Sequence, residues 1–126
     1  FTNLEPEFLI TLESLQMKVD QKGHTTILKN TQGDYLSFLE KINNQYNVFK
    51  NQNLILDLTF DKTISLSDIR LFSDISKLHK KGKKSFVLVV DNVDIDKLPL
   101  KMTVVPTLME AHDIIEMEEI ERDLGF

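Results

Sequence analysis

Two apolar segments on either side of an amphipathic one constrain the fold of this chain more than any other feature. Residues 54–58 are apolar except for one aspartate, and residues 86–90 are apolar throughout. Continuous apolar runs of this length are typical of strands that are covered on both faces of a sheet. Between the two runs, Ile69, Phe72 and Ile75 recur with Leu78 at helical spacing. The region therefore predicts a strand, a helix over residues 65–80 and a second strand.

The remainder of the chain predicts more elements of both kinds. Residues 17–20 and 24–28 predict a hairpin with its turn at residues 21–23. A helix should follow whose core-facing residues are Leu36, Leu39, Ile42, Tyr46 and Phe49. Residues 94–98 predict a short helix and residues 101–105 a brief edge strand. In the last helix, the predicted apolar stripe is Ile114, Met117, Ile120 and Leu124.

The order of predicted elements defines the fold class. It reads β-β-α-β-α-β-(α)-β-α, which indicates an α/β fold with a mixed β-sheet and helices packed against it. The length of 126 residues is that of one domain, which we expect over residues 17–126. We expect residues 1–16 to be an N-terminal extension or an artificial remnant, with apolar spacing that suits a helix.

Local sequence signals predict where several helices begin and end. Thr31 with Asp34, Ser65 with Asp68, and Thr107 with Glu110 all have capping-box spacing, in which a side chain caps the first helical turn. Gly82 is placed to end the helix that begins at Ser65, because glycine is favoured at helix C-termini.

Composition excludes several classes of function. A net charge of −5 argues against a nucleic-acid binder, which is normally basic. The absence of cysteine excludes disulfides, thiolate catalysis and cysteine metal sites. No apolar run approaches the ~20 residues of a membrane-spanning helix, and the first residues carry acids rather than a basic signal-peptide region. We therefore expect a cytoplasmic protein that does not interact with a membrane.

No catalytic residue, metal site or cofactor is predicted. His24, His79 and His112 are isolated in the sequence, without the spacing of a metal-ligand set or an identifiable serine or carboxylate partner. The four glycines are too dispersed for a phosphate-binding loop or a dinucleotide fingerprint. We therefore predict a protein that is not an enzyme.

The layout of residues 17–126 resembles the STAS-domain family, which includes bacterial anti-sigma factor antagonists and cytoplasmic domains of sulfate transporters. In that family a strand leads to a phosphorylated serine at the start of a helix, and the helix ends in a basic stretch containing glycine. Aligned on Gly82 and Phe86, Ser65 takes the position of that serine. Ile64, Leu66 and Ser67 differ from the family's Asp-Ser-Ser-Gly-like motif, so the loop is a degenerate version. The final segment, residues 104–111, resembles the family's last strand and helix.

The resemblance implies a regulatory domain that binds a protein through residues 61–69, which we name the elbow. In the family this surface engages an anti-sigma factor with a kinase-like ATPase fold, and serine phosphorylation releases it. The implied phosphorylation sites are Ser65 and Ser67, with Thr63 as a further candidate, whereas the residues alone favour Ser65 as a simple helix cap worth about 1 kcal/mol. The implied partner-binding residues are Asp61, Lys62, Thr63, Ile64, Ser65, Ser67, Asp68 and Ile69.

A second resemblance gives the alternative function. The C-terminal residues 110–126 are similar to those of short Bacteroidetes-type chains that sometimes carry a ribonuclease Z label. That label implies a role in tRNA 3′ processing. The zinc nuclease needs a His-x-His-x-Asp-His ligand set, which this chain lacks. The alternative is therefore an accessory or mislabelled relative without its own zinc site.

Two charged clusters are further candidates for binding. Lysines at positions 77, 80, 81, 83 and 84 surround Gly82 and form either a solvated helix end or a patch for an acidic partner or RNA. The last helix carries seven acids over residues 110–123, with Arg122 spaced to pair with Glu118. Those acids form either a solvated face or a docking site for a basic partner. The lysines of a second copy would also fit, which allows a homodimer.

Overall fold

The computed structural model describes residues 17–31, 34–91, 93–98 and 101–125. Its strands are β1 (Met17–Lys22), β2 (Thr25–Asn30), β3 (Asn53–Asp57), β4 (Phe86–Val89) and β5 (Thr103–Val105). Its helices are α1 (Tyr35–Asn44), α2 (Tyr46–Phe49), α3 (Leu66–Arg70), α4 (Ser73–Lys81) and α5 (Leu108–Asp123), with a 3-10 turn at Ile95–Lys97. The predicted extension, residues 1–16, lies outside the described residues.

The strands form one mixed sheet, as predicted. Their spatial order is β1-β2-β3-β4-β5, the same as their order along the chain. β1 and β2 form the expected antiparallel hairpin, and β2, β3, β4 and β5 run parallel to one another. The hairpin turn lies at Gly23 and His24, slightly later than expected, and Gly23 has a φ of 57°. Glycine adopts this left-handed conformation without the steric cost that other residues incur.

Side chains that alternate along the strands build a core on each face of the sheet. The larger core lies between one face and the helices α1 to α4, and it includes Leu28, Leu54, Leu56, Leu58, Phe86, Leu88, Phe38, Ile42, Phe49, Ile69 and Phe72. Helices that connect parallel strands advancing in one direction are expected on a single face, because such crossovers are right-handed. Because β2 to β5 are parallel, their carboxyl ends meet at one edge of the sheet.

Helix α5 covers the opposite face. Ala111 and Ile115 pack there against Ile55, Val87 and Val105, among others. Its N-cap is Thr107, as predicted, whose side chain accepts a hydrogen bond from the Glu110 amide at 3.2 Å.

The end of α5 is tied to the sheet by Arg122. Its guanidinium donates to Ser85 Oγ at 3.1 Å and to Asn53 Oδ1 at 3.3 Å, and both acceptor residues are buried. The predicted pair between Arg122 and Glu118 does not form, because the arginine side chain points towards the sheet instead.

Both long helices predicted between strands are broken into two. The first begins later than expected, since Asp34 rather than Thr31 caps it by accepting from the Ser37 amide at 2.8 Å. It is interrupted at Gln45, whose φ of −113° and ψ of 17° are not helical. The helix expected over residues 65–80 breaks between α3 and α4, at Leu71 and Phe72, and the break directs Phe72 into the core with 0% exposure.

Several residues predicted to face the core are exposed, because helix breaks and caps set which side of each helix meets the sheet. Leu36 is 52% exposed and Leu78 is 55% exposed. In α4, His79, the residue after Leu78, is buried in place of the leucine. On α5 the predicted stripe is wrong for Met117, Ile120 and Leu124, which point to solvent, whereas Ile114 is partly buried and packs against the second core with the buried Ala111 and Ile115.

Candidate functional site

The elbow lies at the carboxyl edge of the sheet, between β3 and the end of α3. Two consecutive Asp-x-Thr turns shape the chain between the end of β3 and the start of the elbow. Asp57 Oδ1 accepts from the Thr59 amide at 3.0 Å and from Thr59 Oγ1 at 2.6 Å. Asp61 Oδ1 accepts from the Thr63 amide at 2.9 Å and from Thr63 Oγ1 at 2.7 Å. Such side-chain turns replace backbone pairing where a strand ends, and they order the chain from the end of β3 into the elbow.

A reciprocal capping box begins α3, as the sequence predicts. Ser65 Oγ accepts from the Asp68 amide at 3.3 Å, and Asp68 Oδ2 accepts from the Ser65 amide at 2.9 Å. The Ser65 amide is the largest cause of a lowered pKa of Asp68, and a hydrogen bond from Tyr35 adds to it. The same contact with Asp68 raises the pKa of the Tyr35 hydroxyl. Tyr35, at the start of α1, therefore lies close to the start of α3.

An ion pair joins the elbow to the segment after β4. Lys62 Nζ lies 2.8 Å from Asp91 Oδ2, and this hydrogen bond is the largest cause of a lowered pKa of Asp91. Both side chains are substantially exposed, so the pair is expected to contribute little to stability. The pair instead connects the two loops that follow the adjacent parallel strands β3 and β4.

The predicted partner-binding residues divide into anchors and surface residues. Ile64 is 5% exposed and Ile69 is 0% exposed, so both are anchors in the core. The exposed members are Lys62, Thr63, Ser65 and Ser67, and Asp61 and Asp68 are half-buried. Phe60, immediately before the elbow, is 53% exposed and was not predicted as a site residue. An exposed aromatic between two Asp-x-Thr turns is the sequence signal that could have identified it.

The two predicted phosphorylation sites differ in their surroundings. Ser65 is exposed, but its Oγ caps α3 and lies beside the Asp68 carboxylate, with which a phosphate would share one helix end. Like charges placed this close repel each other, so a phosphate at Ser65 would open the capping box. Ser67 lies in the first turn of α3, is exposed, and has no side-chain role in that box.

The lysine cluster borders a surface groove at the opposite edge of the sheet. The groove has a volume of about 490 Å³ and is lined by Lys80, Lys83, Lys84, Glu118, Glu121, Arg122 and Gly125. Lys80 is not free there, because its Nζ donates to the Lys101 carbonyl at 2.8 Å and to Thr103 Oγ1 at 3.1 Å. Lys83 has a φ of 62°, whereas the adjacent Gly82 is at −76°, so the left-handed residue after α4 is a lysine.

The three histidines lie on different elements. His24 is in the β1–β2 turn, 3.5 Å from a Glu119 oxygen, and His112 is on α5. His79 is buried in α4 and bonded to Tyr46 Oη and the Gln52 carbonyl, each at 2.7 Å. Within the described residues, no group of three or more histidine, aspartate or glutamate side chains could hold a metal ion.

Comparison with known proteins adds no family assignment. No protein-family model matches the chain, and no curated protein matches it either. Across the described ranges of the chain, no helix is both long enough and apolar enough to cross a membrane. The structure by itself establishes the α/β fold with its five-stranded mixed sheet and the geometry of the elbow.

Proposed function

We propose that this chain is a non-catalytic, protein-binding regulatory domain of the STAS type, and that its elbow contacts the partner. One observation carries the proposal. The elbow is held by two Asp-x-Thr turns and a capping box, yet it presents exposed polar groups and the adjacent Phe60, which is 53% exposed. Surface loops held in one conformation lose little entropy on binding, and aromatic side chains are favoured anchors of protein interfaces.

The distribution of buried and exposed residues supports the same proposal. Ile64 and Ile69 fasten the elbow to the core, so a partner would meet a preformed surface rather than a mobile loop. Lys62 is exposed, although its Nζ is paired with Asp91, and Thr63, Ser65 and Ser67 carry exposed hydroxyl groups, of which that of Ser67 has no role in the turn or the capping box. Polar groups around an aromatic anchor are a common composition for a protein-binding surface.

The resemblance to STAS domains suggests the kind of partner and the regulation. The proposed partner is an anti-sigma factor or a related kinase-like ATPase in the bacterial cytoplasm, and the proposed switch is phosphorylation of Ser65 or Ser67. A phosphate at Ser65 would add about two negative charges beside Asp68. Both the opened capping box and the added charge would oppose binding of a partner that recognises the unmodified elbow.

A capture experiment with matched variants tests the proposal. The wild-type chain, Phe60→Ala and Leu78→Ala would each be immobilised and exposed to lysate of the native host, and captured proteins identified by mass spectrometry. The two replaced side chains are equally exposed, at 53% and 55%, but only Phe60 adjoins the elbow. We expect one ATPase-type protein to be captured by wild type and Leu78→Ala and lost with Phe60→Ala.

A charge variant of the elbow completes the test. Ser65→Asp should also lose the captured protein, whereas Ser65→Asn, which retains a favoured N-cap residue, should keep it. Equal capture by all variants would refute the role of the elbow. Capture of tRNA or a nuclease in place of a protein kinase would favour the role in tRNA 3′ processing, and hydrolysis of precursor tRNA by the pure chain would refute the non-catalytic assignment.

A further inference from the structure

Helix α5 and its C-cap residue, Leu124, expose an apolar stripe on the side that faces away from the sheet. Met117, Ile120 and Leu124 follow one another at i, i+3 and i+7, and they are 59%, 53% and 65% exposed. Met109, two turns earlier on the same side, is 75% exposed. We name these four residues the outer stripe. Apolar residues at this spacing normally mark the side of a helix that is covered by another element.

The outer stripe does not contribute to the core. The side of α5 that packs on the sheet is occupied by Ala111 and Ile115, which are 0% and 2% exposed. Arg122 lies on that same inner side, because its guanidinium bonds to Ser85 and Asn53 at the ends of two strands. The helix is therefore apolar on two opposite sides, and only one of them is covered within the described residues.

The charged residues around the outer stripe distinguish among the segments that could cover it. Exposed carboxylates at Glu110, Glu116, Glu121 and Asp123 flank the outer stripe, and the exposed Asp113 lies within it, between Met109 and Met117. Arg122, the cation of this helix, is turned towards the sheet. A second copy of α5 would bring the same carboxylates into contact, which is repulsive. Residues 1–16 of this chain carry three glutamates and no lysine or arginine, so their charge also opposes docking on this helix.

We propose that the outer stripe of α5 is a second interaction surface, which binds a basic amphipathic helix of another protein. Such a helix would place its apolar side chains on Met117, Ile120 and Leu124, and its lysines or arginines beside Glu116 and Glu121. Helical segments recognised in this way are defined by apolar anchors at i, i+3 or i+4 and i+7. The two methionines are suited to this role, because their flexible side chains adapt to a range of apolar partners.

Peptide binding tests the proposal with the full chain. The probe is a synthetic peptide of about 18 residues made of leucine and lysine, with the leucines at helical spacing so that its length matches α5. One comparison peptide has the same composition in scrambled order, and another has glutamate in place of lysine. Binding would be measured by fluorescence anisotropy at moderate ionic strength. We expect the patterned basic peptide to bind and both comparison peptides to bind at least tenfold more weakly.

Variants of the stripe separate this surface from general attraction to an acidic protein. Ile120→Ala and Leu124→Ala should each weaken binding about tenfold, which corresponds to about 1.4 kcal/mol of lost apolar burial. The thermal midpoint of both variants should be preserved, because alanine is the best helix former at position 120 and Leu124 is an exposed C-cap residue. The matched control is Leu78→Ala on α4, which removes a side chain that is 55% exposed outside this surface and should leave binding unchanged.

Charge reversal provides an independent test. Glu116→Lys combined with Glu121→Lys should exchange the preference, so that the leucine–glutamate peptide binds more tightly than the leucine–lysine peptide. Equal binding to wild type and Ile120→Ala would overturn the proposal, as would equal binding of the scrambled peptide. Self-association of the wild-type chain that Ile120→Ala abolishes, seen by sedimentation, would assign the stripe to a second copy and likewise overturn it. Phe60→Ala should bind the peptide normally, which keeps this test separate from that of the elbow.

Discussion

Acidification should destabilise this fold through His79. The imidazole is completely buried, and its Nε2 lies 2.7 Å from the Gln52 carbonyl oxygen. A carbonyl oxygen only accepts, so Nε2 carries the proton and donates it. Nδ1 then accepts from the Tyr46 hydroxyl, also at 2.7 Å. Both ring nitrogens are satisfied in the neutral form, and a second proton at Nδ1 would displace the hydrogen bond from Tyr46.

The sign and the size of the effect follow from this environment. Burial is the largest cause of a lowered pKa of His79, the Gln52 hydrogen bond opposes it, and the charge of Lys84 lowers it further. A group whose pKa is lower in the folded state stabilises the fold above its unfolded value and loses that contribution as the pH falls. For an unfolded pKa of about 6.5, the loss at about pH 5.5 reaches at most about 1.4 kcal/mol.

Urea unfolding followed by circular dichroism measures this loss. The free energy of unfolding of wild type should fall by about 1 kcal/mol between about pH 7.5 and about pH 5.5. His79→Gln should lose most of this pH dependence, at a cost of about 1–3 kcal/mol at neutral pH because the amide cannot satisfy both partners. His112→Gln is the control and should keep the wild-type dependence. A wild-type free energy that is constant over this interval, or an unchanged dependence in His79→Gln, would refute the reasoning.

Three further predictions concern stability. Arg122→Met should lower the free energy of unfolding by about 2 kcal/mol in urea, because it removes two hydrogen bonds to buried acceptors; an unchanged value would mean that α5 does not depend on this anchor. Lys83→Gly should raise that free energy by about 0.5–1 kcal/mol by relieving a left-handed lysine, whereas Gly82→Ala should not lower it. Phe72→Ala should cost about 3–5 kcal/mol, and Leu71→Ala, in the neighbouring exposed position, under about 1 kcal/mol, both measured by thermal and urea unfolding.

Local chemistry in the sequence was sufficient to predict most elements of the fold. The apolar runs at residues 54–58 and 86–90 identify β3 and β4, since few other structures bury five consecutive residues. Ser65 and Thr107 identify the starts of α3 and α5, because a side chain that accepts from an amide three residues later acts without any tertiary contact. These two caps depend only on neighbours in sequence and were confirmed, whereas the cap predicted at Thr31 was not.

The side of each helix that meets the sheet could not be predicted in the same way. On α5 the spacing of Ile114 and Met117 suggests a buried stripe as strongly as that of Ala111 and Ile115 does. The choice depends on tertiary contacts, above all on Arg122 reaching acceptors on β3 and β4. In α4 the break before Ser73 similarly turns His79 inward. Such contacts join residues far apart in sequence, and periodicity contains no information about them.

The geometry of the elbow depends partly on contacts between sequence neighbours and partly on tertiary contacts. Its Asp-x-Thr repeat at Asp57 and Asp61 is readable in the sequence, because each aspartate bonds to a threonine two residues later. Its links to Asp91 and Tyr35 are not readable, because they join it to loops and helices that only the folded sheet brings near. The position of the elbow is thus predictable, and its rigid attachment is not.

The second face of the sheet gives the strongest reason to regard the outer stripe as functional. Among the described residues one helix covers that face, and this helix, α5, packs on β3, β4 and β5. On β1 and β2, the residues that point to the same side and lie beyond the helix are exposed and charged, namely Lys18, Asp20, Lys22 and Lys29. The sequence therefore places charges where this face meets water. Methionine, isoleucine and leucine on the outer side of α5 depart from that pattern, although charged residues there would favour the helix equally well. Burial by the proposed partner helix would account for this departure.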